Sequence, residues 1–443
     1  MIKQILPLSL IVALRFFGLF IVLPVLSIYA LDMEGATPFL AGLVVGGYAL
    51  TQAIFQVPFG IISDKFGRKP ILFFGLVIFI IGSVIAAMSD NIYTLLIGRF
   101  LQGSGAIGSV VSAMIADLVK EEQRAHAMAI MGGTIAMSFA AAMIIAPIVG
   151  GNYGIDKLFW LTAILSVAAI TVLFTSVPKP PIIVHSYSEE ESKFTEVFKD
   201  KALNRMYITF LFHQGTTTMA FFIIPFALTQ AVVDGGFGWE KAELWKVYFP
   251  AMVFGFIAMA PAAIFGEKYG KGKLIFKLSV VFIFFAFLAM GFASTSWVFV
   301  MGVVFFFIGF NMFEPLLQSF VAKFAKVHQK GAALGVANTF AYLGIFFGGL
   351  LAGWLMQNYN RETLSIVVMG IAVLWFIWVA TMPSPNNRGN VYLPLALFDR
   401  ERVAGLTEHE AIVESYVNET EQVAVVKFNK DLIDEDEVRG MLS

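Results

Sequence analysis

The sequence predicts an all-α integral membrane protein, with twelve transmembrane helices in two six-helix bundles and a small α+β C-terminal extension. Three observations predict this fold class: an apolar composition, twelve long apolar runs, and an echo of the first half of the chain in the second. Hydrophobic residues make up 58% of the 443 positions and charged residues only 14%. Because soluble domains carry about 25% charged residues, a chain of this composition requires lipid as its solvent.

The composition also excludes several classes of function. The chain has no cysteine and a net charge of −1, so it offers neither a thiolate metal site nor a basic field for nucleic acid. It contains no Gly-x-x-x-x-Gly-Lys phosphate loop and no visible constellation of catalytic residues. We therefore expect neither nucleotide-driven transport nor an enzyme, and we expect no metal and no cofactor.

Each predicted span is a run of about 20 mostly apolar residues, the length that crosses a bilayer as a helix. The first run is too long for the apolar part of a signal peptide and has no small-residue cleavage pattern after it, so we interpret it as an uncleaved helix. The predicted spans are 5–30, 39–62, 70–89, 92–118, 127–149, 157–177, 204–230, 246–265, 274–294, 297–321, 331–356 and 363–382.

The polar segments between the spans predict domains and orientation. The predicted domains are an N-terminal bundle at 1–177, a linker at 178–203, a C-terminal bundle at 204–382 and a tail at 383–443. Lys and Arg occur in the links after spans 2, 4, 8 and 10 and are absent after spans 1, 3 and 9. The positive-inside rule therefore places the linker and both termini in the cytoplasm of a multi-pass protein of the bacterial inner membrane.

Two charged segments of the first half recur in the second half. "GIISDKFGRK" at 60–69 is echoed by "AIFGEKYGKG" at 263–272, and "ADLVKEEQRA" at 116–125 by "AKFAKVHQKG" at 322–331. Each pair occupies the same place in its set of six spans. An internal repeat of this size is typical of secondary transporters, in which two similar bundles move about a shared central site.

Four segments carry a resemblance to the major facilitator superfamily. "GIISDKFGRKPIL" resembles the signature between the second and third helices, and "LLIGRFLQGSGA" at 95–106 the fourth-helix signature. "GLFIVLPVLSIYA" at 18–30 resembles the first helix of the drug:proton antiporter branch, and "FNMFEPLLQS" at 310–319 the tenth helix of YajR-type transporters. The resemblance covers about residues 5–382 and implies alternating access powered by the proton gradient.

The fifth span carries a variant of the antiporter signature. Ala146, Pro147, Gly150 and Gly151 stand in the fifth-helix motif, where the branch has Gly-x-x-x-Gly-Pro-x-x-Gly-Gly. Alanine therefore replaces two of its glycines, at 142 and 146. Alanine still allows close helix approach, but less of it than glycine does.

The charged loop at 60–70 predicts a conformational latch between the bundles. In the arrangement that the resemblance implies, Asp64 faces the start of the eleventh span, whose helix N-terminus attracts an anion. Gly60 and Gly67 allow close approach, and Arg68 holds Asp117 at the end of the fourth span. A plain topology signal explains the basic residues of the loop but not Asp64 or the glycines.

Charged residues inside a membrane span are expensive, at about 2.5–3.5 kcal/mol each, and usually face a cavity. Spans 1, 4, 7 and 10 line the cavity that the resemblance implies. Glu314 is the carboxylate inside a central span and the first candidate for proton coupling, with His213 as the second, and arginine is excluded because it stays charged. The candidates for the substrate cavity are Arg15, Arg99, Gln102, Asn311, Phe17 and Gln52.

Each of these residues also has a structural alternative. Arg15 and Glu314 pair with each other in one interpretation, which joins helices without binding substrate. In the same interpretation Arg99 binds backbone carbonyls, His213 is a packing residue, and the glutamines only pack. In the functional interpretation Asn311 orients Glu314, and an arginine approaches that carboxylate during transport.

The tail predicts a small α+β unit. Apolar and polar residues alternate at 411–419 and 423–428, which predicts a hairpin. Asp434 and Glu437 have the spacing of a capping box before a helix at 434–442, and 390–395 can supply a further strand. The pattern resembles part of a ferredoxin-like domain without its Cys-x-x-Cys, and regulation, dimerisation and stabilisation remain open as its role.

The sequence therefore predicts a secondary active transporter that works by alternating access, most simply a proton-coupled exporter of a small amphiphilic compound. One alternative is a cation-coupled symporter that imports an anionic metabolite through Arg15 and Arg99. An alternative from another class is a non-transporting membrane sensor that signals through the tail. The expected partners are a small-molecule substrate and the lipid bilayer, with no nucleic acid. We expect a monomer, with contacts through the tail left open.

Overall fold

A computed structural model describes residues 2–119, 121–178, 197–326, 329–383, 388–394, 403, 405–406, 409–418, 422–430 and 432–442. Within these residues the chain before the tail consists of helices joined by short loops, with one isolated bridge between Glu34 and Asn91. The helices of the first half are α1 (Ile2–Phe20), α2 (Leu23–Leu31), α3 (Pro38–Phe66), α4 (Arg68–Ala87), α5 (Ile92–Ser104), α6 (Gly108–Leu118), α7 (Glu121–Tyr153) and α8 (Ile155–Thr175). Those of the second half are α9 (Lys201–Thr229), α10 (Trp245–Glu267), α11 (Gly272–Phe292), α12 (Ser296–Phe324), α13 (Lys330–Asn358) and α14 (Arg361–Ala380).

Among the described residues, eleven helical segments are long and apolar enough to cross a membrane. They match eleven of the twelve predicted spans, with α1 and α2 together forming the first. The helices of each half pack mainly against one another, which gives the predicted two bundles. Most of the predicted linker, at 179–196, lies outside the described residues.

The first predicted span is not one continuous helix. The chain turns at 21–22, between α1 and α2, and Pro24 lies in the first turn of α2. Proline has no backbone N–H and its ring excludes the carbonyl four residues earlier, so it starts a helix more readily than it continues one. The predicted span at 5–30 is therefore present as two consecutive helices, which together form one candidate membrane span, Ile5–Leu31.

The fourth predicted span is also broken, and neither half is long enough to cross alone. α5 ends at Ser104 and α6 begins at Gly108, with Gly105 at φ −77° and ψ 54°. Gly105 packs against Gly75 of α4 so closely that an added Cβ would overlap the Gly75 carbonyl oxygen. A glycine that leaves helical geometry exposes carbonyls that other groups must satisfy. The predicted span at 92–118 is therefore formed by two helices, α5 and α6, and not by one.

The bundles meet at one end of the molecule, which we call the Asp32 face. There α3 packs against α13, and the Phe39 amide donates to Gln357 Oε1 at 3.1 Å. An added Cβ at Gly46 would lie 2.8 Å from the Ile345 carbonyl oxygen, so glycine is required at this contact. Asp32 forms an ion pair with Lys241 across the same face. These contacts close the Asp32 face.

The bundles separate at the opposite end, which we call the Arg68 face. A Cβ added at Gly331 or Gly335 of α13 would meet no atom within 4 Å. The same holds for Gly132 and Gly133 of α7. Gly60 of α3 faces only Ser109 of its own bundle, at 3.6 Å. The described structure is therefore closed at the Asp32 face, with a cleft that opens at the Arg68 face.

The tail forms the small α+β unit that the sequence predicts. Strands β1 (Arg388–Pro394), β2 (Ile412–Asn418) and β3 (Val423–Asn429) form an antiparallel sheet in the order β1-β3-β2. Helix α15 (Glu435–Leu442) follows, and its start is the predicted capping box. The Glu437 amide donates to Asp434 Oδ1 at 2.8 Å, and the Asp434 amide to Glu437 Oε2 at 3.0 Å.

Candidate functional site

The latch residues lie at the Arg68 face. Arg68 forms the predicted ion pair with Asp117, with Nε 3.0 Å from Oδ2. Arg68 Nη1 also lies 2.5 Å from Oδ1 of Asp64, whose side chain is 62% exposed. Gly67 has φ 92° and joins α3 to α4, a conformation that favours glycine. Asp64 pairs within its own bundle because the bundles are apart at this face, and its contact with α13 stays a prediction for the opposite state.

The fifth-helix motif lies at the Asp32 face. Pro147 is inside α7, and Ala146 is fully buried. The Gly150 carbonyl accepts a hydrogen bond from the Tyr29 hydroxyl of α2. An added Cβ at Gly151 would overlap Ala242 of the other bundle. The motif therefore forms part of the contact that closes this face.

Arg15 is held inside the first bundle. Its Nη2 donates to the Gly105 carbonyl at 2.8 Å and to Gln52 Oε1 at 3.3 Å. Its guanidinium lies 5.2 Å from the centre of the Phe79 ring, and the side chain is fully buried. The break between α5 and α6 thus supplies the carbonyl that binds Arg15. Tyr342 of α13 packs against this cluster from the other bundle.

Arg99 and Gln102 also point into the first bundle. Arg99 Nε donates to the Val44 carbonyl at 3.1 Å, and its Nη1 to Gln102 Oε1 at 2.7 Å. The guanidinium lies 4.5 Å from the centre of the Tyr48 ring. Gln102 Nε2 in turn donates to Ser83 Oγ at 2.9 Å. Arg99, Gln102 and Ser83 are fully buried, so this network joins α3, α4 and α5 and does not reach the cleft.

Glu314 pairs with His213 of α9. His213 Nε2 lies 3.2 Å from Glu314 Oε1, although the residues are 101 positions apart. The Glu314 side chain is 39% exposed and that of His213 is fully buried. Glu314 is one turn along α12 from Phe310, whose ring lies 5.5 Å from that of Phe139 in the other bundle. The carboxylate therefore faces the cleft between the bundles, and the interpretation that pairs Glu314 with Arg15 was wrong.

Asn311 and Phe17 do not contact Glu314. Asn311 Nδ2 donates to the Phe307 carbonyl at 2.8 Å, and its amide packs at Gly255 of α10. The prediction that Asn311 orients Glu314 was wrong, because the Asn311 amide is bonded to the Phe307 carbonyl of its own helix and packs toward α10. Phe17 is half-buried and packs against the apolar core.

Comparisons with known proteins place this geometry in a family. The model described as Major Facilitator Superfamily matches residues 8–349 and 251–403. The chain belongs to the major facilitator superfamily. This superfamily member is 35% identical over 434 residues to "Inner membrane transport protein YajR" of Escherichia coli (strain K12), with 96% of this chain and 94% of the relative covered.

Two further relatives of this superfamily member are more distant. It is 26% identical over 387 residues to "Quinolone resistance protein NorA" of Staphylococcus aureus (strain COL), with 83% of this chain and 93% of the relative covered. The solved structure of a D-xylose-proton symporter matches it with a TM-score of 0.70 at 15% identity, over 86% of this chain and 98% of that one. At that identity the symporter establishes the fold alone.

The family and the YajR similarity establish the coarse function. The chain is a multi-pass membrane transporter that works by secondary transport, and its relatives are named as transporters and not as enzymes. The similarity to YajR agrees with the predicted inner membrane. The orientation of the termini stays a prediction.

Sequence reasoning missed three residues that the fold brings to functional positions. Asp32 and Lys241 meet across the bundles although 209 positions separate them, and Trp375 packs beside His213. No local motif marks these residues. A tryptophan in an apolar span has the sequence appearance of a lipid-facing residue, and only the packing of α14 on α9 turns it inward.

Proposed function

We propose that this transporter exports a small amphiphilic compound in exchange for protons, and that Glu314, together with His213, carries the coupling proton. The observation that carries the proposal is the His213–Glu314 pair, whose carboxylate reaches the cleft and whose imidazole is buried. A coupling group must gain a proton from one side of the membrane and lose it to the other. Glu314 can do so from the cleft, whereas an arginine stays charged.

The charge around the cleft favours a substrate with a positive charge. Glu314 is partly exposed, whereas Arg15 and Arg99 are fully buried and bonded within the first bundle. The rings of Phe139, Phe221 and Phe310 meet between the bundles, with Phe310 one turn from Glu314. All three are buried in this state, and their faces would attract a cation once the bundles part. A cationic amphiphile and the proton would then compete for one carboxylate, which couples export to proton entry.

The alternatives draw less support from the geometry. Import of an anionic metabolite requires Arg15 or Arg99 to reach the cleft, and both are covered. The similarity to the quinolone resistance protein NorA supports export, at 26% identity. The sensor alternative predicts that no substrate crosses the membrane at all.

The test compares two kinds of flux in the same proteoliposomes, with ethidium and norfloxacin as probes. Glu314→Gln mimics the protonated carboxyl, so it should reduce pH-gradient-driven flux to background while counterflow exchange continues. Glu362→Gln is the matched control, because Glu362 is exposed in the first turn of α14, at the Asp32 face and away from the cleft. Wild-type net flux in Glu314→Gln would remove Glu314 from coupling. Absence of flux in the wild-type protein across a broad panel of substrates would favour the sensor.

A further inference from the structure

His213 lies in an aromatic box formed by Phe310, Phe313 and Trp375. The imidazole stacks on Phe310 with ring centres 5.0 Å apart and planes at 11°. Phe313 lies 5.1 Å away and Trp375 6.2 Å away, both tilted. Phe313 and Trp375 stack on each other at 4.7 Å and 11°. The box thus joins three helices, α9, α12 and α14, around one titratable side chain.

The open side of the box is occupied by Glu314. His213 Nε2 lies 3.2 Å from Glu314 Oε1, and among the described residues Glu314 is the titratable group in contact with the imidazole. The other ring nitrogen, Nδ1, is buried and has no hydrogen-bond partner among the described residues. Trp375, Phe313 and His213 are fully buried, whereas Glu314 is 39% exposed. Within this structure, water therefore reaches the carboxylate and not the imidazole.

We propose that Trp375 is a positioning residue that makes Glu314, among the described residues, the route by which a proton reaches His213. Trp375 holds Phe313 and the imidazole so that Nε2 points at the carboxylate, and it closes the side of the ring away from the cleft. A proton from cleft water binds Glu314, and transfer to Nε2 leaves a carboxylate beside an imidazolium. The reverse transfer returns the proton to Glu314 for release.

This inference rests on the proposed function only for its role in transport. The claim that Trp375 shields His213 from water concerns the structure alone and is tested by itself. Trp375 contacts His213 and Phe313, and these contacts distinguish it from a residue that merely stabilises the fold. Its neighbour Trp378, on the same helix, donates from Nε1 to the Arg205 carbonyl of α9 at 3.1 Å.

The first measurement is modification of His213 by diethyl pyrocarbonate in the full-length protein, read by mass spectrometry. Exposed His409 serves as the internal reference. Trp375→Leu should raise the modification rate of His213 about tenfold, which corresponds to about 1.4 kcal/mol of lost protection. Trp375→Phe keeps an aromatic wall and should leave His213 protected, as should Trp378→Leu. If His213 stayed protected from modification in Trp375→Leu, the inference that Trp375 shields it would be wrong, whatever the protein transports.

The second measurement is the pH profile of ethidium flux in proteoliposomes. Trp375→Leu should lower proton-driven flux about tenfold and shift its pH dependence, because a group displaced by about 1 Å transfers poorly. Counterflow should persist, and Trp375→Phe should restore the wild-type profile. If Trp378→Leu changes the profile as much as Trp375→Leu does, α14 acts only as scaffold and the proposal fails. If wild-type protein shows no proton-driven flux, the proposed function fails while the modification result still stands.

Discussion

The charged residues inside the spans separate into two kinds when their contacts are compared. Arg15 and Arg99 are fully buried and bind carbonyls and amides of their own bundle. Glu314 faces the cleft and pairs with His213. Burial of a charge is expensive unless hydrogen bonds compensate it. Arg15 Nε and Nη1 and Arg99 Nη2 have no partner among the described residues, so hydrogen bonds compensate each guanidinium only in part. We expect the arginines to act in the scaffold of the first bundle and the carboxylate at the moving interface.

Replacement of Arg15 tests this division. Arg15→Met removes the hydrogen bond to the Gly105 carbonyl, and bonds from charged donors contribute about 1.5–3 kcal/mol. We expect a melting temperature lower by several degrees in detergent, with the affinity for ethidium within about twofold of wild type. Nearly unchanged stability together with lost binding would instead place Arg15 in the substrate site.

The pairing of α3 with α13 shows how the same two helices can form the closing contact at either end of a transporter. Gly42 and Gly46 of α3 pack on Gly349 and neighbouring residues of α13 at the Asp32 face. Gly60 follows Gly42 by 18 residues, and Gly349 follows Gly331 by 18. Eighteen residues are five turns at 3.6 residues per turn, so each pair lies on one face of its helix. The two helices carry a second set of glycines in the same register at the Arg68 face, where the bundles are apart.

Bulk at the engaged glycines should open the Asp32 face. Gly349→Leu would overlap the Gly42 carbonyl, so we expect fewer molecules closed at this end. A cysteine pair at Phe39 and Gln357 reports closure by crosslinking, and the chain has no native cysteine to interfere. A shift of about 1.4 kcal/mol changes the ratio of the two states tenfold.

Two further variants control the glycine experiment. Gly370→Leu on α14 meets no atom within 4 Å and should leave crosslinking unchanged. Gly331→Leu also meets no atom in this state, but it should hinder closure of the Arg68 face and so preserve or raise crosslinking. Equal crosslinking in Gly349→Leu and in wild-type protein would show that α3 and α13 do not form the closing contact.

The whole molecule joins a transporter core to a tail that is docked on it. Lys427 of β3 is 1% exposed, and its amine donates to the carbonyl of Ala325, the residue that caps the C-terminus of α12. The cation therefore lies at the negative end of the α12 dipole. Lys427 is also opposite Glu414 of β2 in the sheet. The tail thus contacts the helix that carries Glu314, at the open end of the cleft.

Removal of the tail should uncover the C-terminus of α12 without unfolding the helical core. Truncation after Met382 should give a monodisperse protein in mild detergent, because the tail has an apolar core of its own. Hydrogen exchange at the α12 terminus, around Ala325, should become faster, and Lys427→Met in the full chain should reproduce part of that change. Lys430→Met is the matched control, since Lys430 is exposed in the turn directly after β3. Aggregation of the truncated protein would make the tail an obligatory part of the fold.

The sequence alone determined the class, most spans, the repeat and the tail strands, because these depend on local composition and on periods of one helix or one strand. It also predicted the ion pair between Arg68 and Asp117, since a superfamily signature fixes the positions of both residues. Only the tertiary structure decided which buried charges meet. Gly105 breaks its span and offers a carbonyl to Arg15, and that leaves Glu314 to pair with His213. Such partners depend on helix breaks and on how the two bundles pack against each other. Neither is encoded in the spacing of apolar residues.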